Sequence, residues 1–332
     1  MQAKADLYVE THQPFQRQPT GRTVGMYLYE WFDGKKSAWA PRTVELYRHQ
    51  LEKHILPRIG EVLLEDLTPL DVQRLVNQIV TSGHIPTANK CRRLLFTAMK
   101  QAVRWELVPK NPVDAVDPVR EPPVEKVVWE PTEAEAFLGA VKGHRLYPAF
   151  YLLYASGMRR GELLGLRWSD VKEAGVRVEQ ALVMVGNSPT ISSPKSRRSK
   201  RFIPLAPDAL EQLELHREAQ RREREACGER WCDYGLVFCT SIGTPLDPKN
   251  FLRTLRQYSK KAGVGEGTVH AIRHLHASLL IASEVDAKTI SERLGHSSAA
   301  FTLDRYGHIF RQHQGRSALS VDQLLRGSGS VD

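Results

Sequence analysis

The sequence predicts a chain that is mainly α with a small antiparallel β-sheet, arranged as a separate N-terminal helical bundle and an α+β C-terminal domain. Three observations support this fold class. Apolar residues recur at helical spacing before Val108, six prolines fall between Val108 and Pro131, and two strand-like runs interrupt the helical pattern further on. Helical periodicity indicates a face that packs on a core, whereas clustered prolines cannot continue a helix. The proline-rich stretch therefore separates two domains.

The N-terminal domain is predicted to be a bundle of helices. Val24 to Phe32 and Thr43 to Ile55 each place their apolar side chains on one side. Thr68, followed by a proline, is a helix start, because threonine caps a helix and proline fits its first turn. The longest helix is predicted from Thr87 to Leu107, with Trp105 facing inward and its basic residues largely outward.

The C-terminal domain is predicted to be helical, then rich in strands, then helical again. Tyr147 to Ser156 is almost wholly apolar, which indicates a buried helix. Strands are predicted at Val176 to Val185 and at Arg201 to Leu205. Thr268 to Ala282 has the apolar spacing of a helix.

Composition limits the classes of protein. The chain has 332 residues and a formal net charge of +9, enough length for two cores and a balance that suits a polyanionic partner. Ribosome-associated and membrane-surface proteins share this balance.

The four cysteines form neither a disulfide framework nor a CxxC pair, so we expect reduced thiols. A zinc site built from Cys227, Cys232 and Cys239 fits the usual ligand spacing poorly. With no apolar leader and no long apolar run, we expect a cytosolic protein that does not contact a membrane.

Four short motifs in the predicted C-terminal domain contain residues suited to chemistry on a phosphate. They are Gly157-Met-Arg159-Arg-Gly-Glu162, His270-Ala-Ile-Arg273, Leu294-Gly295-His296 and Leu303-Asp-Arg-Tyr306. A metal-free enzyme that attacks a phosphodiester must surround its oxygens with fixed cations, and arginine binds them in a bidentate way. We therefore predict that Arg159 and Arg273 bind the phosphate. His270 would share a helix face with Arg273, and Glu162 would orient Arg159 or a neighbouring histidine.

Tyr306 is the predicted nucleophile. A free phenol has a pKa of about 10, so the arginines and the histidine must help to remove its proton. Attack on a phosphodiester would join one end of the broken strand to Tyr306 and release a hydroxyl at the other end; the resemblance described below implies that the strand is DNA, joined through its 3′ end. The phosphotyrosine stores the bond energy, so we expect that rejoining needs no ATP, metal or other cofactor.

Each of these residues taken alone has a structural interpretation. A histidine on an apolar helix is more often a packed or capping group, Arg159 alone would be a surface ion-pair partner, and a lone tyrosine near the end of a chain is usually part of a core. Lys195 lies in a run of basic residues that is most simply a solvated loop. Four motifs in one order, each in a suitable context, favour the catalytic interpretation.

Together these motifs resemble those of the tyrosine recombinases, the phage integrase family, over about residues 20 to 320. The resemblance implies that Lys195 protonates the leaving oxygen and that His296 hydrogen-bonds the phosphate. It also implies that the N-terminal bundle is a core-binding, SAM-like domain and that the two domains form a DNA clamp. Further DNA contacts are expected from basic residues on both domains: Arg197, Arg198, Lys200, Arg201, Lys90, Arg92 and Arg93.

The resemblance also implies an assembly and a setting. Four identical protomers would act on two double-stranded DNA attachment sites through a Holliday junction, with a possible accessory directionality or DNA-bending protein, in a bacterial cytosol or nucleoid and encoded by a phage or mobile element. The predicted boundaries are a flexible segment 1–20, the helical domain 21–110, a linker 111–130, the catalytic domain 131–326 and a disordered tail 327–332. Since few residues precede the first predicted helix, we expect either action without arm-type sites or a chain that starts after an arm-binding domain.

Two alternatives keep the same fold. A type IB-like topoisomerase would use the same phosphotyrosine chemistry to relax supercoils, and only strand exchange between two DNA sites separates it from a recombinase. A DNA-binding regulator that has lost the chemistry is disfavoured, because every expected catalytic position holds a competent residue. A metal-dependent transposase or nuclease is also disfavoured, since no isolated trio of carboxylates stands out.

Overall fold

The chain divides into two compact units, Met1–Val124 and Glu125–Asp332. The computed structural model describes residues 21–122, 129–186, 188–192, 200–296 and 298–313, with side chains as far as Gly307. The predicted flexible segment 1–20 and the tail 327–332 lie outside the described residues. None of the helices in the described ranges is long and apolar enough to cross a membrane.

The first unit is a helical bundle. Its helices are α1 (Val24–Lys35), α2 (Pro41–Gln50), α3 (Leu56–Ile59), α4 (Pro69–Thr81) and α5 (Ile85–Arg104). Thr68 caps α4 as predicted: its hydroxyl accepts from the Asp71 amide at 3.2 Å, and the Asp71 carboxylate accepts from the Thr68 amide at 3.1 Å. A π-helical turn, Leu51–Ile55, joins α2 to α3. The apolar faces meet in one core that contains Tyr27, whose hydroxyl donates to the Ala98 carbonyl at 2.5 Å.

Two details of the first unit differ from the sequence prediction. Helix α5 ends at Arg104, and Trp105, predicted to face inward, is 47% exposed. Val113 and Val116, predicted to belong to the linker, are buried in the core of the first unit. Helix α5 ends before the first of these prolines, where Glu106 takes a left-handed conformation with φ +56°, and the prolines do not keep Val113 and Val116 from packing in the core.

The second unit combines helices with two small antiparallel sheets. Its helices are α6 (Pro131–Val141), α7 (Tyr147–Ser156), α8 (Arg160–Leu164), α9 (Pro207–Cys227), α10 (Pro248–Lys261), α11 (Val269–Ala282), α12 (Ala287–Leu294) and α13 (Ala299–His313). Its strands are β1 (Val171–Lys172), β2 (Gly175–Val178), β3 (Ala181–Val185), β4 (Ser188–Ser192) and β5 (Arg201–Pro204). The predicted fold class, mainly α with small antiparallel sheets and a separate helical bundle, is confirmed.

The sheets lie between α8 and α9 in the chain. One has the order β1-β2-β5 and the other pairs β3 with β4, all antiparallel. The run Val176 to Val185, predicted as one strand, is therefore two strands in different sheets. Gln180 lies in the break and donates to the Gly165 carbonyl at 2.6 Å. A Cβ on Gly165 would lie 2.8 Å from the Leu182 amide nitrogen, so only glycine lets β3 come this close.

The core of the second unit positions the carboxyl ends of two helices. Phe137, Phe150 and Phe251 are fully buried and their rings pack together, with the Phe150 and Phe251 centroids 4.8 Å apart. Helix α7 packs on α11, and α12 packs on α13. The carboxyl ends of α7 and α12 both close with a left-handed glycine, Gly157 and Gly295. The residues that follow these two turns form the site described next.

Candidate active site

Arg159 lies between α7 and α8 and is fixed by a carboxylate and a carbonyl. Its backbone amide and its Nη1 donate to Glu162 at 2.9 and 2.8 Å, and its Nη2 donates to the Gly295 carbonyl at 2.6 Å. Its side chain is still 39% exposed. The turn before it requires glycine: Gly157 has φ +63°, and a Cβ there would lie 2.5 Å from the His276 ring.

Arg273 is almost completely buried, at 6% exposure. Its Nη1 donates to the Gly157 carbonyl at 2.7 Å and its Nη2 to the Leu294 carbonyl at 2.6 Å. The guanidinium thus binds the carboxyl ends of both α7 and α12, where helix carbonyls lack partners. Burial, reinforced by the nearby positive charge of Arg159, lowers the pKa of Arg273 to about 9, so it remains charged at neutral pH.

His270 is one turn before Arg273 on α11 and is exposed. It contributes to a pocket of about 190 Å³. The pocket is lined by Arg159, His270, Arg273, His274, His296, Phe301, Arg305 and Tyr306. Partial burial and then the positive charges of Arg273 and Arg305 lower the pKa of His270. The imidazole is therefore neutral at pH 7 and able to accept a proton.

Tyr306 is 3% exposed and packs in a small cluster of apolar residues from α11, α12 and α13. Its ring centroid lies 5.3 Å from that of His274. Burial raises the pKa of the phenol, while the charges of Arg273 and Arg305 act in the opposite direction. The phenol is protonated in this state, so the site must remove its proton when it reacts.

His296 follows the left-handed turn at Gly295. Its Nδ1 lies 2.8 Å from the Thr302 hydroxyl, and its ring packs edge-on against Phe301. Burial, with the positive charges of Arg273 and Arg159, lowers its pKa to about 3. His296 is therefore neutral at every physiological pH and can serve as a hydrogen-bonding group without carrying charge.

The predicted basic contacts have different positions. Lys195, Arg197 and Arg198 lie outside the described residues. Lys200 is exposed and its ammonium is 2.8 Å from the Glu179 carboxylate. Lys90 and Arg93 are exposed on α5.

Two of the residues predicted to contact DNA bind acceptors within the protein. Arg201 has a side chain that is only 7% exposed and that binds Glu162, with Nη2 to Oε2 at 2.8 Å. Arg92 is half-buried and its Nε donates to the Val116 carbonyl at 2.5 Å. Their contacts with DNA remain predictions from the sequence. A run of basic residues does not show which of them turns inward to meet a buried acceptor.

Two arginines in or near the site were not predicted to belong to it. Arg305 lies beside Tyr306 in sequence, and its Nη2 is 2.6 Å from Nε2 of His274. Arg293 donates from Nε to Nε2 of His276 at 3.1 Å and from Nη2 to the Ala155 carbonyl at 2.8 Å. The position of both arginines within the motifs was the available signal, since each directly precedes a motif residue. The histidines were predicted to be packing or supporting groups.

Comparisons with known proteins agree with this architecture. Residues 128–313 match the model of the phage integrase family, and residues 23–80 match that of the phage integrase N-terminal SAM-like domain. A tyrosine recombinase XerC-like protein of Caldanaerobacter subterraneus subsp. tengcongensis is 30% identical over 326 residues, covering 91% of this chain and 83% of that protein. An integrase of Streptomyces ambofaciens is 29% identical and covers 93% and 82%. The chain belongs to the phage integrase family and is an enzyme of the tyrosine recombinase class, as the sequence predicted.

Solved structures show the same fold. The integrase of transposon Tn1549 in complex with transposon right end DNA superposes with a TM-score of 0.77 at 21% identity, covering 90% of this chain and all of that chain. A lambda integrase tetramer bound to a Holliday junction gives a TM-score of 0.65 at 21% identity, covering 90% and 87%. The likeness extends through both units of the chain.

Proposed function

We propose that this protein is a site-specific recombinase that cuts and rejoins DNA through a covalent 3′-phosphotyrosine on Tyr306. The observation that supports this most is the 190 Å³ pocket, whose lining includes Tyr306, three arginines and three histidines. These residues come from three distant parts of the chain, around 159, 270–274 and 296–306. Because a phosphodiester repels nucleophiles, the buried Arg273 and the partly exposed Arg159 near a tyrosine form an arrangement suited to phosphoryl transfer.

Arg159 and Arg273 would hold the non-bridging oxygens of the scissile phosphate. The two carbonyl bonds use two of the five N–H donors of Arg273. The others remain available within the described part of the site. Because the two arginines are fixed to the helix ends before DNA binds, their orientation costs little when charge develops on the phosphate. His296 would donate a further hydrogen bond to the same oxygens.

Tyr306 would attack phosphorus as its proton leaves. Neutral His270 is the candidate acceptor for that proton, and the charges of Arg273 and Arg305 favour the phenolate. The bond from phosphorus to the 5′-oxygen breaks, and Lys195 would protonate that oxygen. A 5′-hydroxyl from the same or another strand then attacks the phosphotyrosine and regenerates Tyr306, with no net change in phosphodiester bonds.

The test of this function is covalent trapping. The protein is incubated with nicked duplexes that carry candidate attachment sites, and SDS-resistant adducts are counted. We expect adduct with the wild type and none with Tyr306→Phe, because the variant lacks only the attacking oxygen. Adduct formation by the variant at the wild-type level would show that another residue is the nucleophile.

The role of Lys195 has its own test. A substrate with sulfur in place of the 5′ leaving oxygen needs no general acid, since a thiolate is a good leaving group without a proton. We expect Lys195→Ala to cleave this substrate nearly as fast as the wild type does, while cleaving the ordinary substrate slowly. Failure of the sulfur substrate to restore cleavage would reassign Lys195 to phosphate binding.

The proposed substrate is a pair of double-stranded attachment sites bound by four protomers, in the cytosol or nucleoid of a bacterium. Family membership supports this, as does the fold shared with the lambda integrase tetramer. Exchange of strands between two labelled sites distinguishes a recombinase from a type IB-like topoisomerase, which would relax a plasmid without exchange. Deleting residues 312–332, whose apolar residues suit docking on a neighbour, should weaken assembly more than single-site binding in a gel shift. An accessory DNA-bending or directionality protein would be detected by its effect on the same exchange assay.

A further inference from the structure

A buried carboxylate lies beneath the proposed catalytic arginines and has two cationic partners. Glu162 is 6% exposed. It accepts from Arg159 on one side and, on the other, from both terminal nitrogens of Arg201, at 3.1 Å to Oε1 and 2.8 Å to Oε2. This bidentate pairing places Arg201 and Arg159 on the same carboxylate, although only Arg159 lines the pocket.

Arg201 also binds the end of the helix that leads to His296. Its Nε donates to the carbonyl of Arg293, the penultimate residue of α12, at 2.6 Å. In return, Nη1 of Arg293 donates to the Pro204 carbonyl at 3.0 Å. The first and last residues of β5 are therefore both bound to Arg293. Strand β5 and the carboxyl end of α12 are held together as one piece.

The position of Arg201 in the chain adds to this. It opens β5, the strand that follows Lys195 by six residues, and β5 is paired to β2 through Val178 opposite Arg201. The Arg201 guanidinium is thus the point where this strand meets the carboxylate of Glu162 and the backbone carbonyl of Arg293. A lysine could supply the charge but not the planar set of three donors that these acceptors use.

We propose that Arg201 is a positioning residue that holds Glu162 in the orientation that fixes Arg159 on the scissile phosphate and ties the strand after Lys195 to that carboxylate. This inference rests on the proposed function. It assigns to Arg201 a role through Glu162 in place of the DNA contact predicted from the sequence.

The role has a consequence that a purely structural role lacks. The pKa of Glu162 is lowered: burial acts to raise it, and the hydrogen bonds and charge of Arg201 overcome that effect, followed by Arg159. Without Arg201 the buried carboxylate keeps one cationic partner, so its pKa rises. Arg159 would then lose its ionised partner as the pH falls, and cleavage would fall with it.

The experiment measures single-turnover cleavage of the nicked duplex between about pH 8 and pH 5, the range in which a raised carboxyl pKa would lie. The variants are Arg201→Met, Arg201→Lys and Glu162→Gln, together with the double variant Arg201→Met/Glu162→Gln. Arg177→Met is the matched control, because Arg177 is an exposed arginine on β2 opposite Phe202. DNA binding and the thermal midpoint of each variant are measured in parallel.

We expect Arg201→Met to cleave roughly ten- to a hundredfold more slowly at pH 7 while binding DNA normally, as when a group that supports transition-state contacts is removed. Its rate relative to the wild type should fall further as the pH is lowered. Arg201→Lys should lose less, and Arg177→Met should match the wild type. In the Glu162→Gln background the Arg201 substitution should add little and show no pH dependence, because the carboxyl it acts through is gone.

Two results would overturn the inference. One is a rate for Arg201→Met that stays in constant proportion to the wild type at every pH, and the other is a full additional loss in the Glu162→Gln background. If Arg201→Met fails to fold, Arg201→Lys takes its place, alone and in the Glu162→Gln background. The same two results, a constant rate ratio across pH and a full additional loss, would then overturn the inference. Adduct formation by Tyr306→Phe would instead show that Tyr306 is not the nucleophile. The role of Arg201 would still be tested, because the cleavage rate of each Arg201 variant is compared with that of the wild type at each pH.

Discussion

Replacing Arg273 with methionine should separate stability from catalysis. The substitution keeps a long side chain in the buried space but removes the charge and all five donors. In the folded protein the pKa of Arg273 falls from 12.5 to about 9. Since the charged form is disfavoured by folding, this penalty is fully present below pH 9 and is relieved as the pH rises from about 9 to 12.5. At pH 7 the Arg273→Met variant therefore does not carry this penalty.

The desolvation penalty that the substitution removes and the hydrogen bonds that it breaks are nearly equal in free energy. A fall in pKa from 12.5 to about 9 corresponds to a penalty of about 4 to 5 kcal/mol. The two bonds to the Gly157 and Leu294 carbonyls are lost, and hydrogen bonds to charged groups contribute about 1.5 to 3 kcal/mol each. The free energy of unfolding should therefore stay within about 2 kcal/mol of the wild type, as for other buried ionic groups replaced by apolar ones. Cleavage should fall about a hundredfold or more, because a transition-state contact with the phosphate is gone.

Urea denaturation at pH 7, followed by circular dichroism, measures the free energy of unfolding, and single-turnover assays measure the cleavage rate. Leu275→Ala is the control, since Leu275 is 3% exposed on the same helix and its truncation should cost about 2 to 5 kcal/mol. A methionine variant as unstable as this control would mean that Arg273 mainly holds the helix ends together. Retained cleavage would remove it from the catalytic site.

Three further outcomes are expected. Arg159→Ala should lose about a hundredfold in cleavage while binding DNA in a gel shift, and equal losses of both would contradict its catalytic role. Gly295→Ala should lower the free energy of unfolding in urea by about 1 to 2 kcal/mol and slow cleavage. The reason is that φ is +65° at this position and a Cβ would lie 2.9 Å from Nη1 of Arg201. Unchanged cleavage would show that the turn tolerates alanine. The pKa of His276 is lowered from 6.5 to about 4, mainly by burial, so its neutral form favours folding fully above pH 6.5 and this stability is lost as the pH falls towards 4. His276→Gln should lose stability less steeply over that range, and a slope equal to that of the wild type would exclude His276 as its source.

The sequence was sufficient where function depends on local spacing. Arg159 with Glu162, and His270 with Arg273, are each three positions apart in the sequence. Arg159 caps the start of α8, where Glu162 is the third residue, and His270 and Arg273 share one face of α11, so neither pairing depends on the rest of the fold. The helices around them followed from apolar periodicity. The boundaries were less accurate, as at Trp105, because the last turn of a helix depends on what packs against it.

Basic residues near the site were harder to assign. Arg201 and Lys200 are adjacent in one basic run, yet one is buried against Glu162 and the other is exposed beside Glu179. Lys200 precedes β5, whereas Arg201 is its first residue and lies opposite Val178 of β2, so the register of the two strands decides where the Arg201 side chain lies. The same holds for Arg92, which meets the Val116 carbonyl only because the chain after α5 folds back on the bundle.

The sequence by itself determined the family, the fold class and the residue types of the site, because these are carried by short motifs and by the periods of helix and strand. The tertiary structure decided what holds those residues in place. Arg273 binds the carbonyl of Gly157, 116 residues away, and Arg159 binds that of Gly295, 136 residues away. Contacts across such distances depend on how α7, α11 and α12 pack, and no local pattern specifies which carbonyl a buried guanidinium will meet.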